Sequence, residues 1–180
     1  QWTMAGTLYI NHGVNSTNTS IAGQDFTLSG TAEIDAWTGF AARTDITGDI
    51  VFQSANTVLS LSGGDTGNPN RIEGGTISGP GRLSFGTFDA LVGFGSVTPS
   101  EISLGLGARL LAEDGTLTVN SASIQSSTFA RIGTRDGSGT LLMNGTFDTS
   151  LVQAIELNGG ALLGDQINNN GLVTGHGGIA

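Results

Sequence analysis

Glu33 and Asp35 stand two residues apart, a spacing that puts both carboxylates on one face of an extended strand. A glycosidase uses two such acids, one to protonate the leaving oxygen and one as base or nucleophile. The same pair is also what a solvated strand face carries, and that is the reading adopted. Asp45 and Asp49 flank Gly48, and Glu113 is followed by Asp114, so these acids read as turn residues. Arg131 lies 22 residues after Arg109, close to one turn of a coiled repeat, and with Arg135 and Asp136 it makes the densest charged cluster. A polysaccharide lyase needs a basic residue beside calcium-binding carboxylates gathered on successive coils. The acids are not grouped in that way, and the chain has no lysine.

Other chemistries fail on their motifs. No loop alternates Asp at three positions before a Gly, and Gly63-Gly64-Asp65 is only a fragment of a calcium-binding glycine-aspartate repeat. His12 and His176 are distant in sequence and there is no cysteine, so no zinc site and no thiolate nucleophile is assigned. No Gly-x-Ser-x-Gly elbow occurs, and the glycine-rich turns lack the lysine of a phosphate loop. Asn15, Asn18 and Asn144 open glycosylation sequons, which a chain this rich in Asn, Ser and Thr generates by composition. No catalytic, cofactor-binding or metal-binding residue is assigned, and the expectation is a protein that is not an enzyme and needs no cofactor.

Charge narrows the partners. Fifteen acidic residues against six basic ones give a net charge of −9, and all six basic residues are arginines scattered along the chain. Nucleic acid requires a basic stripe that neutralises phosphates, so it is excluded, and anionic membrane surfaces with it. No apolar run approaches the ~18 residues of a bilayer span, so no membrane insertion is expected. Cysteine-free, acidic, Gly/Ser/Thr/Asn-rich composition is associated with secreted and cell-surface proteins.

The elements that would carry any site are short strands. Thr7-Leu8-Tyr9-Ile10, Asp49-Ile50-Val51-Phe52, Thr57 to Leu61, Arg82 to Phe85, Thr116 to Val119, Thr140 to Met143 and Ala154 to Leu157 each alternate or nearly so, then stop at Gly, Asn or Ser. A helical turn competes only at 149–159, where Ser150 and Gln153 resemble a capping box. The thirty glycines, about a sixth of the chain and well above the usual ~7%, punctuate these runs. The stretch from Gly75 to Phe85 returns near the end as Gly171 to Ile179: Gly, any residue, β-branched apolar, hydroxyl, Gly, any, Gly, any, aliphatic. Gly75, Gly79 and Gly81, and Gly171, Gly175 and Gly177, are therefore assigned to glycine-kinked corners. Ile77, Leu83, Val173 and Ile179 are assigned to an inward-facing core. Asn120, Asn144 and Asn168 recur at intervals of 24, which is taken as the length of one coil.

Together these features predict an all-β fold. The expected architecture is a β-solenoid, a right-handed parallel β-helix of about seven coils, forming a single domain over 1–180 with a less regular part over 1–45 and a repeat-bearing part over 46–180. An antiparallel β-sandwich is second, since it would show clearer two-residue hairpin turns. The corner motif resembles the passenger and stalk repeats of bacterial autotransporters and other large repetitive surface proteins, over the span from Ile46 to Ala180. The resemblance implies a secreted or cell-surface rod, either an inert stalk or fibre or an adhesin. As a glycan-binding residue the candidate is Trp37, set in the loop-like stretch before Gly39-Phe40. Neither the Trp2–Leu8 region nor the Gly177-Gly178-Ile179-Ala180 stretch reads as a polar cap. The expected partner is therefore another copy, or the remainder of a longer chain, stacked end to end.

Overall fold

Alternating short strands punctuated by glycine bury one face only if something is laid against them, and this chain lays each turn on the one before. The computed structural model describes residues 2–4, 6–10, 19–21 and 25–180. All pairings between its named strands are parallel. The architecture is a parallel β-solenoid. One row of stacked residues runs Thr3, Thr27, Asp45, Arg71, Val92, Leu111, Gly133, Glu156, Thr174, which makes about eight turns. At ~4.8 Å per turn the stack is about 38 Å long.

Each full turn contributes three strands. The first ladder holds Phe26–Leu28, Thr44–Ile46 and Arg131–Thr134; the second Thr31–Ile34 and Asp49–Phe52; the third Trp37–Phe40, Val58–Leu61 and Ser123–Ser126. The long segment Asn70–Phe85 traverses all three in one turn, and its pairing register shifts between Glu73 and Thr76 and between Gly79 and Arg82, where it bends. Those bends are the corners assigned from sequence: Gly79 has φ +111° and a Cβ there would collide with the Phe52 carbonyl oxygen of the coil below. Inside, like stacks on like. Ala32, Ile50, Ile77, Val97, Val119 and Met143 form one buried column, and Leu59, Leu83, Ile102 and Ile124 another. Phe26 meets Phe40 edge to face at 5.3 Å across the first turns.

The coil length differs from the expected constant 24. Ile46 follows Leu28 by 18 residues and Ile72 follows Ile46 by 26. The surplus leaves as a loop around Gly64 to Pro69, and the fully buried Asn70 side chain repairs the gap: its Oδ1 accepts from Thr44 N–H at 2.9 Å and its Nδ2 donates to the Ala90 carbonyl at 3.2 Å. Asn168 is therefore not the equivalent of Asn120 and Asn144; it pairs with Asp148 in the third ladder. The two corner motifs also occupy different places. Ile77 and Leu83 lie in the second and third ladders, whereas Val173 pairs with Ile155 in the first and Ile179 with Leu162 in the second. The motif recurs because every corner needs glycine, and not because one coil is copied. Gly175, with φ +92°, lies against the Leu157 backbone as Gly79 lies against Phe52.

Ile77 and Leu83 are fully buried, as assigned. Val173 is half-buried against the core, and Ile179 is corrected: it stacks on the buried Leu162 but stays 47% exposed, because no described strand lies on its far side. The competing helix reduces to one 3₁₀ turn, Thr149–Leu151, capped by Asp148 in place of Ser150, and Ala154–Asn168 is extended. His12, Asn15 and Asn18 lie outside the described residues. Truncation should separate the two isoleucines. Ile77→Ala is expected to cost about 2–5 kcal/mol and Ile179→Ala less than about 1, read by urea unfolding. Ile77→Asp, which buries an unpaired carboxylate, should not fold.

Candidate functional site

The outward positions of the first ladder and the residues flanking it carry five of the six arginines, Arg43, Arg71, Arg109, Arg131 and Arg135. Arg109 and Arg131 are in register on adjacent turns, as their spacing of 22 implied, so two guanidinium groups are forced side by side. Glu156, from the next turn, neutralises both: its Oε2 lies 3.6 Å from Arg109 Nη1 and 3.5 Å from Arg131 Nε, while Oε1 accepts from Asn158 Nδ2 at 3.2 Å. Arg71 reaches two turns along the stack to Glu113 at 2.7 Å and also pairs with Glu73 at 3.0 Å; Arg135 approaches the same Glu113 at 3.4 Å. At the first turns Arg43 donates to Asp45 at 2.6 Å and lies 3.5 Å from Asp25. The Arg71–Glu113 pair spans the turns that carry Val92 and Leu111, which point outward with Ala90 yet are almost fully buried.

This is a cross-coil ion-pair network. Its carboxylates pair with guanidinium groups, and none is presented as a general acid beside a free base. Burial raises the Asp45 carboxyl above its ordinary range, with Arg43 opposing. Arg131 and Arg135, read from sequence as one cluster with Asp136, part company: Arg131 serves Glu156, Arg135 serves Glu113, and Asp136 accepts from the Ser138 hydroxyl at 2.6 Å. Glu33 faces the second ladder, where Gln53 Nε2 donates to it at 3.2 Å. Asp35 follows the strand end, so the two acids are not a matched pair on one strand. Among the described residues no group of three or more His, Cys, Asp or Glu converges to hold a metal, and no helix is long and apolar enough to cross a membrane. Trp37 lies on the outer row of the third ladder, paired with Val58, and is 38% exposed.

A second feature had no sequence signal strong enough to single it out. Between the third strand of one turn and the first strand of the next, five successive turns each expose one large apolar side chain: Phe88, Leu106, Phe129, Leu151 and Leu172, between 40% and 60% exposed. Hydrogen bonds join neighbouring turns here, directly between Phe88 and Leu106 and elsewhere through flanking residues. Phe88 N–H donates to Leu106 O at 2.7 Å, Gly107 N–H to Thr128 O at 3.0 Å, Ser126 Oγ to Leu151 O at 3.2 Å, and Ile155 N–H to Leu172 O at 2.8 Å. Phe88, Gly107 and Phe129 stand at the same place on three turns, each two residues before a first-ladder strand position, with φ of +61°, +66° and +63°. Glycine takes that conformation freely; for a bulky residue it costs about 1–3 kcal/mol. Gly107 also makes room, since a Cβ there would collide with the Phe88 ring.

Carboxylates shape these corners. Asp148 caps the turn holding Leu151, accepting from Ser150 N–H at 2.9 Å and Asn170 Nδ2 at 2.9 Å, and the bonds from Ser150 lower its proton affinity. Asp89 closes the turn holding Phe88 by accepting from Gly86 N–H at 2.6 Å, but it is 7% exposed, and burial pushes its carboxyl above the ordinary aspartate range. Comparison with protein-family models, curated proteins and solved structures finds no match for this chain.

The raised Asp89 affinity fixes a sign. A carboxyl that holds its proton more tightly folded than unfolded favours the fold below pH ~4 and disfavours it as pH rises through the folded value. Asp89→Asn keeps an acceptor for Gly86 without the charge. It should raise the melting temperature at pH 7, and the gain should vanish below about pH 4; a gain independent of pH would disprove the buried charge.

Proposed function

We propose that this chain is a non-enzymatic structural protein of the bacterial cell surface or extracellular matrix, a β-solenoid rod that continues end to end as a stalk segment or as the subunit of a self-assembling fibre. The observation that carries this reading is the unbroken register of the stack: the column Leu117, Leu141, Leu162, Ile179 runs through successive turns, and each turn presents the next with the same row of backbone N–H and C=O groups and the same apolar column. An end-to-end contact of this kind is heterologous and does not close into a ring. The ion-pair network supports a scaffold role, since its acids and arginines hold successive turns together. Secretion or surface display rests on the composition and on the resemblance of the corner motif to passenger repeats.

An adhesin or glycan-binding module is the second reading, and the half-exposed Trp37 favours it. Its test is titration of glycans against the wild-type chain and Trp37→Ala, with loss of binding in the variant as the supporting result. For the rod, purified chain is followed by electron microscopy and light scattering across a range of concentrations. Particles that lengthen with concentration, and that stop lengthening in Ile179→Lys, are expected. A particle of constant length at every concentration, or turnover of polysaccharides that Glu33→Gln abolishes, would overturn the reading.

A further inference from the structure

We propose that Asn144 is a self-modification site: the Gly145 backbone nitrogen attacks the Asn144 side-chain amide, the Asp165 carboxylate takes the proton, and Asn144 becomes aspartate or isoaspartate. The sequence holds three Asn-Gly pairs, Asn144-Gly145, Asn158-Gly159 and Asn170-Gly171. A glycine after asparagine leaves the attacking nitrogen unshielded and its backbone free to turn. All three pairs share that local chemistry, and the fold decides between them.

Asn144 and Gly145 lie in a bulge. Met143 pairs with Gly164 and Thr146 with Gln166, so two residues of one turn face the single Asp165 of the next. Both are exposed, and Gly145, with φ +81°, has no atom beyond its chain neighbours within 4 Å of where a Cβ would stand. Among the described residues the Asn144 side chain has no hydrogen-bond partner. The nucleophile is already in contact with a base, since Gly145 N–H donates to Asp165 Oδ2 at 3.0 Å. The other two pairs are held. Asn158 is half-buried, its Nδ2 donates to Glu156 Oε1 at 3.2 Å, and Gly137 stands 3.1 Å from the Cβ position of Gly159. Asn170 Nδ2 donates to Asp148 Oδ2 at 2.9 Å, and Gly171 N–H donates at 2.8 Å to the Thr149 hydroxyl, a far weaker base than a carboxylate.

As the bond forms between Gly145 N and Asn144 Cγ, the amide proton passes to Asp165 Oδ2. The Cγ–Nδ2 bond then breaks and the nitrogen leaves as ammonia, taking that proton and restoring the Asp165 carboxylate. Water opens the cyclic imide at either carbonyl: one opening gives aspartate, the other isoaspartate, in which the main chain runs through the side-chain carbon. The net reaction is amide plus water to carboxylate plus ammonium, so the net charge of −9 becomes one unit more negative. The additional main-chain atom of the isoaspartyl form falls where the pairing register is already interrupted.

Mass spectrometry of the full chain incubated in mildly alkaline buffer tests this, with fragmentation to locate the amide-to-acid mass gain. No arginine follows Arg135, so one tryptic peptide carries all three pairs. Labelling by an isoaspartyl methyltransferase reads the rearranged product independently. Asn144 is expected to convert at least about tenfold faster than Asn158 or Asn170, the factor set by the hydrogen bonds those two must break. In urea the lead should vanish, because the fold creates it. Asp165→Asn keeps an acceptor for Gly145 but removes the base; it should slow Asn144 by about tenfold or more and leave Asn158 and Asn170 unchanged. No conversion at Asn144, equal rates at the three pairs in the folded chain, a lead that survives in urea, or an unchanged rate in Asp165→Asn overturns the proposal.

Discussion

The interaction on which everything else depends is the parallel backbone hydrogen bond directed along the stack. It fixes each residue about 4.8 Å above its counterpart in the previous turn, so every side chain has a neighbour imposed by register. Inside, this makes identical demands on successive turns and is met by columns such as Ile50, Ile77, Val97 and Val119. Outside, it produces conflicts that must be resolved. Arg109 directly beside Arg131 is one, and Glu156 resolves it from the next turn. That all the cations are arginine fits this duty, since a planar guanidinium can serve two carboxylates on different turns, as Arg71 does for Glu73 and Glu113.

Because register is set by hydrogen bonding and not by chain length, a turn can lengthen without disturbing its neighbours. Leu28, Ile46 and Ile72 share a column although they are separated by 18 and 26 residues. The extra residues leave as an outward loop, and the local cost is an interrupted ladder, which the buried Asn70 side chain completes. The freedom is confined to the corners. There the backbone turns sharply against the coil below, and glycine is required where a Cβ would meet a carbonyl oxygen, as at Gly79 and Gly175.

The same register turns an isolated corner residue into a surface feature. Phe88 alone would be one exposed aromatic, of the kind that needs no explanation. With Leu106, Phe129, Leu151 and Leu172 it is one of five exposed apolar side chains at the corners of successive turns, and the left-handed backbone of Phe88 and Phe129 shows that exposing them carries a conformational cost. The acids Asp89 and Asp148 hold two of these corners in place.

By itself the sequence determined the strand content, the glycine corners, the parallel solenoid and the inward places of Ile77 and Leu83. Alternation and glycine spacing are local properties that the backbone obeys locally. The step between Arg109 and Arg131 was legible for the same reason, because no loop intervenes between them. What only the tertiary structure decided is anything that depends on register across turns of unequal length. A fixed spacing of 24 misplaced Asn168 and equated two corner motifs that lie in different ladders, and Ile179, assigned to the inward core by its motif, is left half exposed. Glu33 and Asp35 seemed a pair on one face, yet the strand ends between them; Arg131 and Arg135 are near in sequence, yet answer to different glutamates. The five exposed corners were illegible because they recur at unequal intervals of 18 to 23 residues, with no shared motif around them. Only the stacking of the turns puts all five between the third and the first ladder.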